Sequence, residues 1–239
     1  MKIQREPSLY PIVAKWMKRH FLCFKTGVDT GSNYGRIDVV GIRDTGGDLT
    51  GDVETIAVEV KKTGSPFATT SGQTLGYRVY ANRIYLAESR KKPFTPEEID
   101  IASHLGIGLI QIRQGHCSEI RSSPFYSPMA RFNLLLLDQI GLGRCQLCGC
   151  FFETGGRKRS YPAVLAGENN VQRAIDTGKG LIFWNYETRA ETKHKLGVKL
   201  TPGTTFERRF ICPECVQNLL AVQQKRIKSW LAEFAPRGG

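Results

Sequence analysis

At 239 residues the chain is long enough to bury a core without disulfide staples. With 41% hydrophobic and 23% charged residues it is neither fibrous nor disordered in composition, and its purely apolar runs, such as Leu134 to Leu137, are far too short to cross a bilayer. The 34 Lys+Arg against 22 Asp+Glu, a net charge of +12, favour polyanionic partners. Residues 1–127 hold 17 basic and 13 acidic side chains and residues 128–239 hold 17 and 9, so the basic bias sits mainly in the second half.

The start, Met1 to Pro7, is polar and soon carries an acid, so no signal peptide is expected and the protein is placed in the cytoplasm, or at the nucleoid of a prokaryote. Pro7 through His20 has Pro at a helix start and apolar residues at Leu9, Ile12, Val13 and Trp16, the spacing of an amphipathic helix. Phe21-Leu22-Cys23-Phe24 reads as a first strand, Asp29 to Tyr34 as a polar turn, and Gly35 to Ile42 as a second strand. Residues 44–54, rich in Gly and Asp, suit a hairpin tip, and Ile56 to Lys62 is the strand that follows. A helix is expected over Thr69 to Ala81, and a short strand at Ile84 to Ala87. Thr95-Pro96-Glu97-Glu98 starts another helix with an N-cap, a proline and first-turn acids, and Gly108 to Ile112 closes the unit as a strand. Ser122-Ser123-Pro124 and Pro128 mark a boundary, giving domains 1–127 and 128–239. Beyond it come a helix over about 130–141, strands at 181–186 and 206–210, and a closing amphipathic helix at roughly 213–234.

Two of these strands carry charges that do not belong in a buried sheet. A lone carboxylate there costs several kcal/mol unless it is paired or bound to a cation. Asp38 lies in one strand, and Glu59-Val60-Lys61 ends the next, with Glu59 and Lys61 on one face by strand alternation. On adjacent strands of a hairpin Asp38 reaches the same point. Hard cations take such oxygens and leave positions for water and phosphate. The same tripeptide pattern at Glu191-Thr192-Lys193 sits in a charged segment without an apolar strand and is set aside. The bland reading of the first set is a strand-edge ion pair.

Asp38 followed by Glu59-x-Lys61 resembles the PD-(D/E)xK nuclease superfamily, over about residues 6–121, with Ile37 standing where the motif has proline. Gln73-Thr74-Leu75-Gly76-Tyr77 resembles the Q-x-x-x-Y motif of its RecB-like branch, and Glu6 matches an additional acidic ligand on the first helix. The resemblance implies an α/β, restriction-endonuclease-like mixed-sheet core of order αβββαβ and a metal-dependent endonuclease acting on DNA. Asp38, Glu59 and the Val60 carbonyl would hold Mg²⁺ or Mn²⁺. Lys61 would orient or help deprotonate the attacking water, Gln73 would hold the phosphate or the Lys61 amine, Tyr77 would pack its helix, and Glu6 would bind a second ion or position water. A restriction or defence enzyme fits best, two copies together serving a double-strand cut. The alternatives are a repair or junction-resolving nuclease, or a zinc-stabilised nucleic-acid-binding protein with an inert nuclease-like domain.

Cys145-Gln146-Leu147-Cys148 and Cys212-Pro213-Glu214-Cys215 are two C-x-x-C knuckles 63 residues apart. Each lets two thiolates converge on a tetrahedral ion, and together they make a closed, structural Zn²⁺ site within a smaller α+β domain. Cys150 could replace Cys148, but the spacing favours Cys148. A redox pair is the rival reading, opposed by the second knuckle and the lack of a thioredoxin-like pattern. Cys23 reads as a buried hydrophobe, Cys117 has no evident partner in the sequence, and the four His show no ligand spacing. Basic residues Arg157, Lys158, Arg159, Arg208, Arg209, Lys225, Arg226 and Lys228, interleaved with aromatics, are the candidate phosphate-backbone contacts, against the bland reading of a solvated surface.

Overall fold

The computed structural model describes residues 6–32, 35–46, 52–62, 64–155, 161–166, 168–184, 208–219 and 225. The chain forms two compact units, Met1–Leu136 and Leu137–Gly239. Tyr126, between the two prolines that suggested a boundary at 127/128, bonds to Asn82, and Met129 and Asn133, beyond them, bond to Val79, Thr55 and Tyr80 of the first unit.

The first unit opens with a 3₁₀ turn, Glu6–Ser8, and helix α1, Tyr10–His20. Pro11 in its first turn presets the helical φ, and Lys18, Arg19 and His20 complement the dipole at its end. Strands β1 (Lys25–Ser32), β2 (Gly35–Asp44) and β3 (Val53–Lys61) follow, then α2 (Phe67–Gly76) with a 3₁₀ turn at Tyr77–Val79. Strand β4 (Arg83–Ser89), helix α3 (Pro96–Leu105) and strands β5 (Gly108–Arg113) and β6 (His116–Arg121) complete it. The six strands make one mixed sheet in sequence order. β3, β4 and β5 run parallel through the crossovers α2 and α3, while β1–β2, β2–β3 and β5–β6 are antiparallel.

The parallel centre is buried on both faces, which is why β3 and β4 read as near-continuous apolar runs. Leu9 at the N-cap of α1, with Val13 and Met17 within the helix, is fully buried against Val39, Ile56, Val58, Val60, Ile110 and their neighbours. Each such side chain contributes about 1.5–3 kcal/mol. Buried Glu54 on β3 accepts both Nε and Nη2 of Arg43 and also takes Arg83, pinning three strands through one carboxylate.

Two expectations need correction. Phe21 to Phe24 is not a strand: Leu22 has φ 56°, and Phe21 and Cys23 plug the core from a connection. The first strand is Lys25–Ser32, which takes in part of the expected polar turn. It lies at the sheet edge, where one face and one edge meet solvent and polar residues are tolerated. β6 has no counterpart among the expected elements. It is the second edge, reached through the two-residue turn Gln114-Gly115, both at positive φ as a type I′ hairpin requires. The Thr95 helix start forms as read, with a capping box to Glu98.

Helix α4, Ala130–Ile140, runs across the division between units. The second unit then has a short hairpin of β7 (Leu142–Arg144) and β8 (Phe151–Glu153), and a three-stranded sheet. In that sheet β9 (Val164–Ala166) and β10 (Gly180–Trp184) are parallel across α5 (Val171–Asp176), and β11 (Arg208–Ile211) is antiparallel to β10. Helix α6, Pro213–Gln217, follows; apart from Lys225, the expected closing helix beyond residue 219 lies outside the described residues. Among the described residues no helix is long and apolar enough to cross a membrane.

Candidate functional site

The β2–β3 ladder runs from Asp44↔Val53 to Val39↔Val58 and stops there. Asp38 and Glu59 are the next residue on each strand, so both carboxylates stand where the strands part. The ladder to β1 breaks at the same level: Val28↔Val39 and Thr30↔Ile37 pair, while Asp29 between them turns to φ 49°. Past the end of the pairing with β2, the Val60 N–H donates to Asp38 Oδ2 at 2.8 Å. The Tyr10 hydroxyl, from the start of α1, donates to Asp38 Oδ1 at 2.8 Å.

Glu59 is 4% exposed, and each of its oxygens is engaged. Lys61 Nζ lies 2.7 Å from Oε1. The Tyr77 hydroxyl reaches both Oε2 and, at 2.9 Å, the Arg36 carbonyl oxygen. It has one proton to give, and the carboxylate is the stronger acceptor. Gln73 is exposed and lines a cavity of about 270 Å³ together with Gly35, Arg36, Asp38, Glu59 and Tyr77. Glu6 is half-buried in the 3₁₀ turn, and its charge acts on Tyr10 and Lys61. Asp38, Glu59, Lys61, Gln73 and the Val60 backbone are therefore gathered at one place, with Glu6 within electrostatic range.

Burial pushes the Asp38 carboxyl up, and the Glu59 charge adds to this against the Val60 and Tyr10 hydrogen bonds and the Lys61 charge. Burial pulls the Lys61 ammonium down, but the hydrogen bond and charge of Glu59, with Glu6 and Asp38, outweigh it and leave it above its ordinary value. This setting favours the ammonium form of Lys61. Burial and the neighbouring carboxylates push the Tyr10 and Tyr77 phenols up, so both remain neutral donors. An ionised carboxylate offers about four lone-pair positions, and each of these two has about two left for a hard cation.

Sequence reasoning missed Tyr10 and gave Tyr77 only a packing role. The signal for Tyr10 was its position one helical turn after Glu6.

In the second unit the sulfurs of Cys145, Cys148, Cys212 and Cys215 all lie within 4.8 Å of one another, an arrangement that can hold a metal ion such as zinc. The local fold makes this cage. Cys145 follows β7 and bridges to Phe210 of β11, which carries the chain directly to Cys212. Cys212 caps α6, accepting the Cys215 N–H at 3.4 Å, and Cys145 sulfur accepts the Leu147 and Cys212 N–H groups at 3.4 Å. Gly149 takes φ 79° just after the second thiol and returns its N–H to the Cys145 carbonyl. Burial raises the Cys148 thiol, but hydrogen bonds from the Cys150 backbone and from the Cys145, Cys215 and Cys150 thiols more than offset it and bring it down to about 7. Cys212 is pushed up to about 11, first by burial. Crowded thiols thus favour one thiolate, and a cation would favour all four. Cys150 is exposed and stands outside the four.

Of the candidate phosphate contacts, Arg209 is half-buried and donates to Gln146 Oε1 at 3.4 Å, Arg208 lies in β11, and Lys225 is exposed. Arg157, Lys158, Arg159, Arg226 and Lys228 lie outside the described residues, as does the Glu191–Lys193 tripeptide.

No protein-family model matches the chain, and no curated protein does. A solved structure, the SPO1766 protein of unknown function from Silicibacter pomeroyi, is similar over 59% of this chain and 86% of its own, at 19% identity and a TM-score of 0.44.

Proposed function

We propose that the chain is a metal-dependent endonuclease of the PD-(D/E)xK type, hydrolysing phosphodiester bonds in DNA. The observation that carries the proposal is the parting of β2 and β3 at Asp38 and Glu59, which turns both carboxylates and Lys61 onto one site beside an open cavity. Asp38, Glu59 and the Val60 carbonyl would hold Mg²⁺ or Mn²⁺. The chemistry such an ion would supply there is Lewis-acid polarisation of the scissile phosphate and a lowered pKa for an attacking water. Lys61, held as an ammonium, donates to a phosphoryl oxygen and offsets the charge that develops on it. Gln73 donates to the same phosphate from the exposed face of α2, and Tyr77 fixes Glu59. The second unit, its four thiols on Zn²⁺, grips the backbone through its basic residues. A restriction or defence role in the cytoplasm is the biological setting proposed, with two copies joining for a double-strand cut.

The test is nicking and linearisation of supercoiled plasmid with Mg²⁺ or Mn²⁺, against EDTA. Wild-type protein is expected to cut, and Asp38→Ala, Glu59→Ala and Lys61→Ala to lose at least about 10²-fold in rate while still binding DNA. Binding without cutting by the wild type under either metal would establish the inert, nucleic-acid-binding reading instead.

A further inference from the structure

The first helix has no part in the carboxylate–lysine motif, yet it touches that motif at one atom. Tyr10 is the first residue of α1, and its hydroxyl donates to Asp38 Oδ1 at 2.8 Å across 28 residues of sequence. The other Asp38 oxygen accepts the Val60 N–H, also at 2.8 Å. One hydrogen bond leaves a carboxylate free to rotate about its terminal bond, a broad torsion with a low barrier. Two bonds, one on each oxygen and from opposite elements, fix its plane. What remains is one lone pair on each oxygen.

The hydroxyl is not needed to dock the helix. Leu9, Val13 and Met17 are fully buried against the sheet, and His20 Nε2 meets Glu119 Oε2 at 2.7 Å at the other end. The Tyr10 ring packs on the same core. Only its polar tip is left without a structural purpose, and that tip is spent on Asp38. Glu6 and Glu59 also act on it through their charges, so it stands among all three carboxylates.

We propose that Tyr10 is a positioning residue, fixing the Asp38 carboxylate so that it presents one oxygen to a divalent cation. The inference rests on the metal-site reading above and makes α1 a determinant of metal affinity. Outer partners that orient a metal ligand change affinity by about 10- to 100-fold when removed.

Tyr10→Phe keeps the ring and removes one oxygen. The experiment titrates full-length wild type, Tyr10→Phe and Asp38→Ala with Mn²⁺ alone, followed by isothermal calorimetry or by loss of the free-ion electron paramagnetic resonance signal. Thermal unfolding of each protein is recorded beside it. The expected result is Mn²⁺ affinity about 10-fold or more weaker in Tyr10→Phe, with little change in the unfolding midpoint. In plasmid cutting, the same variant should need more Mg²⁺ for half-maximal rate and regain most of its rate at saturation. Unchanged Mn²⁺ affinity in Tyr10→Phe, alongside affinity lost in Asp38→Ala, overturns the inference and leaves the metal site standing. Equal Mn²⁺ binding by wild type and Asp38→Ala, or none by the wild type, overturns both.

Discussion

Burial lifts the Asp38 carboxyl above the ordinary carboxylate range, and this is a stability cost carried at the proposed site. A raised folded-state pKa means that the folded chain holds the proton more tightly than the unfolded one. Stability from this group is fully present below the unfolded value and is lost as pH rises through the window up to the raised value. Asp38→Asn keeps the shape and removes the charge. It should therefore gain in unfolding midpoint over wild type at pH 7, gain nothing at pH 3, and bind no Mn²⁺. Thermal unfolding across that range checks it, and a variant less stable than wild type at pH 7 would show that the hydrogen bonds outweigh burial. The same residue shows what could be read from the chain. A carboxylate inside an apolar strand announces itself, as Asp38, Glu59 and Lys61 did. Tyr10 and Tyr77 did not, because a tyrosine in an amphipathic stretch is equally at home as packing and only its hydroxyl partner in space reveals more.

Glu119 on β6 has the opposite sign. Burial works against its ionisation, but hydrogen bonds from His20, Ser122 and Tyr85 and the His20 charge outweigh it and hold the carboxyl below its ordinary value. Its stabilisation is present above the unfolded value and is lost as pH falls through the lowered one, so it steepens acid unfolding. Glu119→Gln should flatten the acid limb of stability against pH while lowering stability at neutral pH, where the wild-type carboxylate ties β6 to α1. Urea unfolding at pH 7 and at pH 4 measures both; an unchanged acid limb would remove Glu119 from the account. That tie joins two elements of unequal legibility. α1, β2, β3, β4, α3 and β5 carry periodic apolar positions because the sheet centre buries them. β1 and β6 are the two edges, where one row of backbone groups and one face are left to solvent. β1 contains KTGVDTGS and β6 HCSEIR, sequences whose composition suits a turn as well as a strand. They become strands because neighbours offer them a ladder, a cause that lies outside the local sequence. Phe21 and Cys23 misled for the converse reason: apolar residues in a connection reach the core without any ladder.

At the scale of the molecule, the carboxylates belong to the first unit and the thiol cluster to the second. The knuckles were legible because two C-x-x-C spacings carry a metal-ligand pattern by themselves, whereas the sheet that joins them through Phe210 was legible only as two short strands, the apolar run at 181–186 and the mixed Phe206-Glu207-Arg208-Arg209-Phe210. Cys145 and Cys212 are buried in the second unit's core with Val171, Leu181, Ile211 and Val216, so the proposed ion and the core support each other. Metal at such a site contributes folding free energy of about 10–16 kcal/mol. Four thiolates on one Zn²⁺ leave a net of two negative charges, and the second half remains basic enough to attract a phosphate backbone. Cys145→Ser should accordingly unfold the second unit and weaken the hold on DNA while leaving Asp38, Glu59 and Lys61 in place. The expected kinetics are a KM raised about 10-fold or more at physiological salt with kcat within about 2-fold, and recovery of rate at low salt, where fewer contacts suffice. Circular dichroism and elemental analysis must first show a folded first unit and lost zinc. If kcat then falls as far as it does in Glu59→Ala, the second unit completes the catalytic site, and the division into a cutting unit and a gripping unit is wrong.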